Sequence, residues 1–182
     1  MPIQLLVTGF APFHSFAINP SWSAARALAQ RHPDRIAARL LPVDHLAART
    51  ALHIALQELR PTACLCLGLA AGDVFRLEER ARKPAEFFHL PGPAEHTGTW
   101  PWDALAAQLT RLAIPHRRSR DAGQYVCEST YFALLEFAHQ HAYPAQAGFL
   151  HVPAISEQFP EVRIMQIVLE LPHPENCITP QM

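Results

Sequence analysis

Two side chains with the chemistry of a thiol catalyst, Cys127 and His151, stand in the segment DAGQYVCESTYFALLEFAHQHAYPAQAGFLHVPAISEQ, from Asp121 to Gln158. Gly123 closes a loop and Gln124-Tyr125-Val126 leads in. Ser129 to His141 then carries the period of an amphipathic helix, with Phe132, Leu135, Phe137 and Ala138 apolar. Cys127 is therefore expected at or near a helix N-terminus. Unsatisfied backbone N–H groups and the positive end of the helix dipole favour an anion there, so the thiolate should form more readily than in a free cysteine. The same N–H groups could receive an oxyanion. Beyond the helix, Ala147 to Pro153 (AGFLHVP) reads as a buried strand with His151 near its C-terminal end. One helix and the return to the sheet separate the two residues, which lets their side chains meet at one edge of that sheet. A cysteine beside a histidine is the minimum apparatus for nucleophilic thiol catalysis, the imidazole taking the proton and returning it to the leaving group. By spacing alone, a small buried thiol and a satisfied core histidine fit equally well.

The elements that must position this pair follow from length and pattern. A chain of 182 residues is expected to form a single domain with a proper core. The 15 Lys+Arg against 16 Asp+Glu give no electrostatic case for nucleic acid or an anionic membrane, and no apolar run reaches membrane-spanning length. MPIQLLVTGF enters a strand-like run without a basic leader or a cleavage site, so the cytoplasm is the expected compartment. Four cysteines do not make a disulfide scaffold in a chain of this size. Cys64 and Cys66, in ACLCLGL, share one face of a strand, and no further ligand follows at metal-binding spacing.

In chain order, Ile3 to Val7 is a central strand ending in the aromatic loop Thr8-Gly9-Phe10-Ala11-Pro12-Phe13. Asn19 is a candidate cap for a helix with Pro20 at its first position, running through Trp22 to Gln30. Ile36 to Leu41 is a second strand, Asp44 caps a helix running to Arg60, and Ala63 to Gly68 is a third strand. From Leu69 to Pro101 no helical period appears, and the stretch reads as a long irregular excursion. Within it, Glu78 and Glu79 lie between Leu77 and Arg80. They form a solvated cluster, or else one of them turns inward to orient His151. Trp102 to Ala113 is a helix, His116 to Ser119 a short strand, VRIMQIVLEL a final helix, and 172–182 a loose tail. The alternation gives an α/β fold, a three-layer sandwich with a twisted, mostly parallel sheet and helices on both faces. A loop leaving the C-terminal end of such a strand is where ligands bind.

Three blocks resemble the pyroglutamyl peptidase I (pyrrolidone-carboxylate peptidase) family of cysteine peptidases: VTGFAPFHSFAINPSWSAARAL, CLGLAAGDVFRLEERA, and DAGQYVCESTYFALL with GFLHVPAISEQ. They stand in the family's order and extend from Val7 to Gln158. The resemblance implies a Cys-His-Glu triad on Cys127, His151 and Glu79, the glutamate directly before Arg80. It implies an apolar lactam slot on Phe10, Phe13, Val43, Tyr125, Val126 and Leu90, with backbone groups around Leu69 hydrogen-bonding the ring. His89 stands where the family has an arginine near the reacting carbonyl. The implied activity is hydrolysis of an N-terminal pyroglutamyl residue, with pyroglutamyl peptides as substrates, no metal or organic cofactor, and a homo-oligomeric state, dimer or tetramer. Buried polar groups matched to the lactam would reject residues lacking it. The alternative is a relative that binds pyroglutamyl or other lactam ligands without turnover. A phosphorylase-like enzyme is disfavoured by the lack of a glycine-rich phosphate loop or basic cluster. This chain departs from the family pattern at His14-Ser15 (Gly-Gly), at Glu128 (Asn) and at Ala81-Arg82-Lys83-Pro84, and it is shorter between Pro91 and Trp102 and at its C-terminal end.

Overall fold

A computed structural model describes residues 2–13 and 17–171; His14-Ser15 and the 172–182 tail lie outside the described residues. The first half forms as its local signals dictate. Strand β1 (Leu5–Phe10) leads to helix α1 (Pro20–Arg31), where Asn19 Oδ1 accepts from the Ser21 N–H at 3.2 Å and Pro20 opens the first turn. Strand β2 (Ile36–Leu41) is followed by α2 (His45–Leu59), whose cap Asp44 accepts from the N–H groups of Leu46 and Ala47 at 3.1 and 2.8 Å. Strand β3 (Ala63–Ala70) runs two residues beyond its predicted end.

The excursion is more ordered than its sequence suggests. It supplies β4 (Phe75–Glu78), β5 (Arg80–Arg82), a 3-10 turn at Ala85–Phe87, and β6 (Glu95–Thr97). Helix α3 (Trp102–Arg111), β7 (His116–Ser119), α4 (Val126–His141), β8 (Gln146–Pro153) and α5 (Glu161–Glu170) complete the chain. Helix α4 thus begins one residue before Cys127.

Six strands form one sheet in the order β2-β1-β3-β8-β4-β7. All neighbours are parallel except β4 against β8, and β5 pairs with β6 in a separate antiparallel ribbon packed on α4. Because strand side chains alternate between faces, one sheet feeds two cores. Leu5, Val7, Leu65, Leu67, Phe75, Leu77, Leu150 and Val152 pack with α1, α3 and α5. Leu6, Phe10, Cys64, Cys66, Ala147 and Phe149 pack with α2 and α4. Cys64 and Cys66 share a face, as their spacing predicts.

The junction of β1 and α1 is tight. A Cβ placed on Gly9 would come within 2.5 Å of Trp22 Cα and 2.6 Å of the Ser21 carbonyl carbon, both backbone atoms that cannot yield independently. The same junction is tied by the Phe10 N–H donating to Ser21 Oγ at 3.0 Å and by Asn19 Nδ2 donating to the Ala11 carbonyl at 3.1 Å. Gly9→Ala should therefore destabilise the fold by about 1–3 kcal/mol, the usual cost of overpacking, measured as a lower urea midpoint at unchanged slope.

Candidate active site

The C-terminal ends of β1, β3 and β8 and the N-terminus of α4 enclose a cavity of about 400 Å³. Phe10, Phe13, Val43, Leu69, Tyr125 and Val126 all line it, as do Cys127 and His151. Tyr125 and Val43 are 72% and 39% exposed, apolar surface left open to solvent at this site.

Cys127 stands in the first turn of α4, and no side chain caps that helix. The sulfur lies over β3, where an added Cβ on Gly68 would meet it at 3.1 Å and the Phe149 ring at 2.7 Å. Gly68 is the register partner of His151 on β8, so thiol and imidazole stand over adjacent strands on the same face. His151 is buried, and its Nδ1 lies 2.8 Å from Glu78 Oε1, leaving Nε2 as the ring nitrogen available to the cavity.

The carboxylate at His151 is thus Glu78, and the expectation for Glu79 is corrected. Alternation along β4 is the physical reason. Phe75 and Leu77 point to the α1–α3–α5 core, so Arg76 and Glu78 point to the α4 face. Glu79, one residue on, instead forms an ion pair with Arg118 at 2.9 Å, and Arg120 approaches it at 3.8 Å. Glu78 is 0% exposed, and its Oε1 also accepts from Arg76 Nη2 at 2.9 Å. The Tyr131 hydroxyl, one turn along α4 from Cys127, donates to the Glu78 carbonyl at 2.8 Å. Helix α4 therefore carries the thiol and also clamps the strand that carries the carboxylate.

His89 and Leu90 do not line the cavity, contrary to the resemblance-based expectation. The 3-10 turn buries Phe87 against Phe132 of α4, with ring centroids 6.4 Å apart, and leaves His89 exposed. Leu90 packs against the α2–α4 core, and its carbonyl accepts from Lys83 Nζ at 3.0 Å. Asn19, Ala70, Ala71, Arg76, Ala122 and Gly123 complete the lining and were not anticipated as site residues. Asn19 carried a signal as a helix cap and Gly123 as a loop closure, and the other four carried none.

The thiol is not activated at rest in the way its helix position predicts. Burial, with Glu78 and Cys66 acting in the same direction, pushes Cys127 up to about 12, against the opposing pull of Arg76 and its own backbone N–H. Burial likewise holds His151 below its ordinary value of 6.5, outweighing the hydrogen bond and charge of Glu78, which raise it. Both shifts favour the thiol and the neutral imidazole over the ion pair. Glu128, next to the thiol, turns away: its Oε1 accepts from the Arg82 N–H of β5, and burial raises its carboxyl.

The fold and this cleft define an α/β protein with a thiol and an imidazole at one apolar cavity, and the comparisons with known proteins give its class. In the solved structures, a mutant pyrrolidone carboxyl peptidase from Pyrococcus furiosus superposes with a TM-score of 0.84 at 26% identity, covering 92% of this chain and 95% of that one. The pyrrolidone carboxyl peptidase from Thermococcus litoralis gives 0.80 at 25% identity, covering 92% and 90%. The sequence profile of the pyroglutamyl peptidase family matches residues 3–169. Among curated relatives, the pyrrolidone-carboxylate peptidase of Gloeobacter violaceus is 36% identical over 86% of this chain and 84% of its own, and that of Chromobacterium violaceum 35% over 85% and 79%. The chain belongs to the pyroglutamyl peptidase family of cysteine peptidases.

A proton acceptor held below its ordinary value has a kinetic signature. An imidazole acts as a base only when neutral, so with His151 in that role kcat/KM should fall as pH drops, with the acid limb centred below pH 6.5. Gly68→Ala should push the sulfur or the Phe149 ring aside and cost at least tenfold in kcat/KM, checked by steady-state kinetics on a pyroglutamyl amide.

Proposed function

We propose that this chain removes N-terminal pyroglutamate from peptides, with Cys127 as nucleophile, His151 as general base and then acid, and Glu78 as the group that orients the imidazole. The observation that carries the reading is the meeting, at one apolar cavity, of a thiol on an uncapped helix N-terminus and an imidazole whose far nitrogen is held by a buried carboxylate. A lactam is neutral and compact, and walls such as Phe10, Phe13, Val43 and Val126 suit it better than a charged amino terminus.

The sequence of steps follows from the resting protonation states. Substrate enters and excludes water; His151 Nε2 takes the thiol proton as the sulfur attacks the pyroglutamyl carbonyl. The Cys127 backbone N–H, at the positive end of α4, stabilises the oxyanion. The imidazolium formed next to Glu78 gives its proton to the departing amine, and water, activated by the same imidazole, hydrolyses the thioester. The free thiols Cys64, Cys66 and Cys127 suit a reducing compartment, the cytoplasm.

The test is a pyroglutamyl amide with a fluorescent leaving group. Cys127→Ser should abolish turnover, and a fully active variant would remove the nucleophile. Glu78→Gln should lower kcat by about 10²-fold or more, in line with the loss of an imidazole-orienting carboxylate, while Glu79→Gln stays within about threefold of the parent. The reverse ranking would restore the glutamate next to Arg80 as the orienting group. Calorimetric binding of a pyroglutamyl peptide without product release would favour the lactam-binding alternative.

A further inference from the structure

A second cavity, also about 400 Å³, opens beside the first and shares Arg76 and Gly123 with it; Arg117, Arg118, Ser119 and Asp121 form the rest of its lining. The two cavities differ in chemistry. The first is walled mainly by apolar side chains, whereas the second is edged by three guanidinium groups.

The charges around it are matched with one exception. Glu78 is paired with Arg76, Asp121 with Arg82 at 2.7 Å, and Glu95 with Arg80 at 2.7 Å; Arg118 is held by Glu79 and Asp103. Burial is not the cause of the low Asp121 carboxyl, which the Gly123 N–H and Arg82 hold down. Among the described residues, Arg117 has no acidic partner. It is exposed on the edge strand β7, and its register partner across the sheet is Arg76. Arg76 is answered by Glu78, which leaves Arg117 as the neighbouring guanidinium without a carboxylate among the described residues. Arg76 Nε, at the wall between the cavities, is in addition a buried donor without a partner among the described residues.

We propose that the second cavity receives the peptide leaving the scissile bond, and that Arg117 favours substrates with an acidic side chain directly after the pyroglutamyl residue. The inference rests on the pyroglutamyl peptidase reading above: once the lactam fills the apolar cavity, the rest of the peptide must leave past Cys127, and the cavity sharing the Arg76 and Gly123 walls adjoins that exit. A carboxylate there answers the one unmatched cation. An ammonium would meet Arg76 and Arg117 together.

The test uses three amidated pyroglutamyl peptides of equal length with Asp, Asn or Lys after the pyroglutamyl residue. At low salt kcat/KM should rank Asp over Asn over Lys, with about three- to fivefold between successive members, the size of one solvent-exposed ion pair, and the spread should shrink as salt is raised. Arg117→Gln should bring the three within about twofold of one another, and Arg117→Glu should reverse the order. Equal rates in the parent protein overturn the subsite while leaving the peptidase reading in place. If none of the peptides is cleaved, it is the peptidase reading that fails. The ranking is then taken from calorimetric binding of the same three peptides to the unmodified protein, where equal affinities overturn the subsite and the order above supports it.

Discussion

A carboxylate with no exposed surface holds the site together. Glu78 Oε1 is shared by His151 Nδ1 at 2.8 Å and Arg76 Nη2 at 2.9 Å, and its backbone carbonyl is fixed by Tyr131. Burying such a group costs several kcal/mol unless partners answer it, and removing one partner leaves an uncompensated charge in a poorly solvating interior. Arg76 is therefore tied to Glu78 as firmly as His151 is. Both partners come from strands: Arg76 stands two residues earlier on β4 itself, and the β4–β8 register sets the position of His151. Rigid elements of this kind are what hold a reacting pair in place.

Much of this frame was legible from local patterns. The caps at Asn19 and Asp44, the strands at Ile36–Leu41 and His116–Ser119, and the helix carrying Cys127 have short-range signals that tertiary packing merely reinforces. Strand β4 was missed because it is four residues long and half of it is charged, so it offers no apolar run. Its signal was present in another form: Phe75-Arg76-Leu77-Glu78 alternates with a period of two. Read as a strand, that alternation separates Glu78 from Glu79, which motif position next to Arg80 does not. The aromatic loop of Phe10 and Phe13 is legible as a ligand wall from its place at the end of a central strand, whereas Val43, Leu69, Tyr125 and Val126 come only through the family's blocks, since nothing in their spacing distinguishes a ligand wall from core. His89 and Leu90 follow the altered Ala81-Arg82-Lys83-Pro84 segment and a turn anchored by Phe87, so positions carried over there lost their place.

The protonation states follow from the same burial. A helix N-terminus stabilises a thiolate only as far as desolvation permits, and here a nearby carboxylate adds to the opposing side. The arrangement suits a site in which charge separation occurs as the substrate carbonyl is attacked, with Glu78 already in position to stabilise the imidazolium when it forms.

Burial that opposes ionisation of a sulfur also has a consequence for its oxidation. Peroxides attack thiolates far faster than thiols, and the first step toward sulfenic and then irreversible sulfinic acid needs the ionised form. Burial raises the Cys127 thiol and so disfavours that form, which means that the surroundings opposing its ionisation also oppose its oxidation.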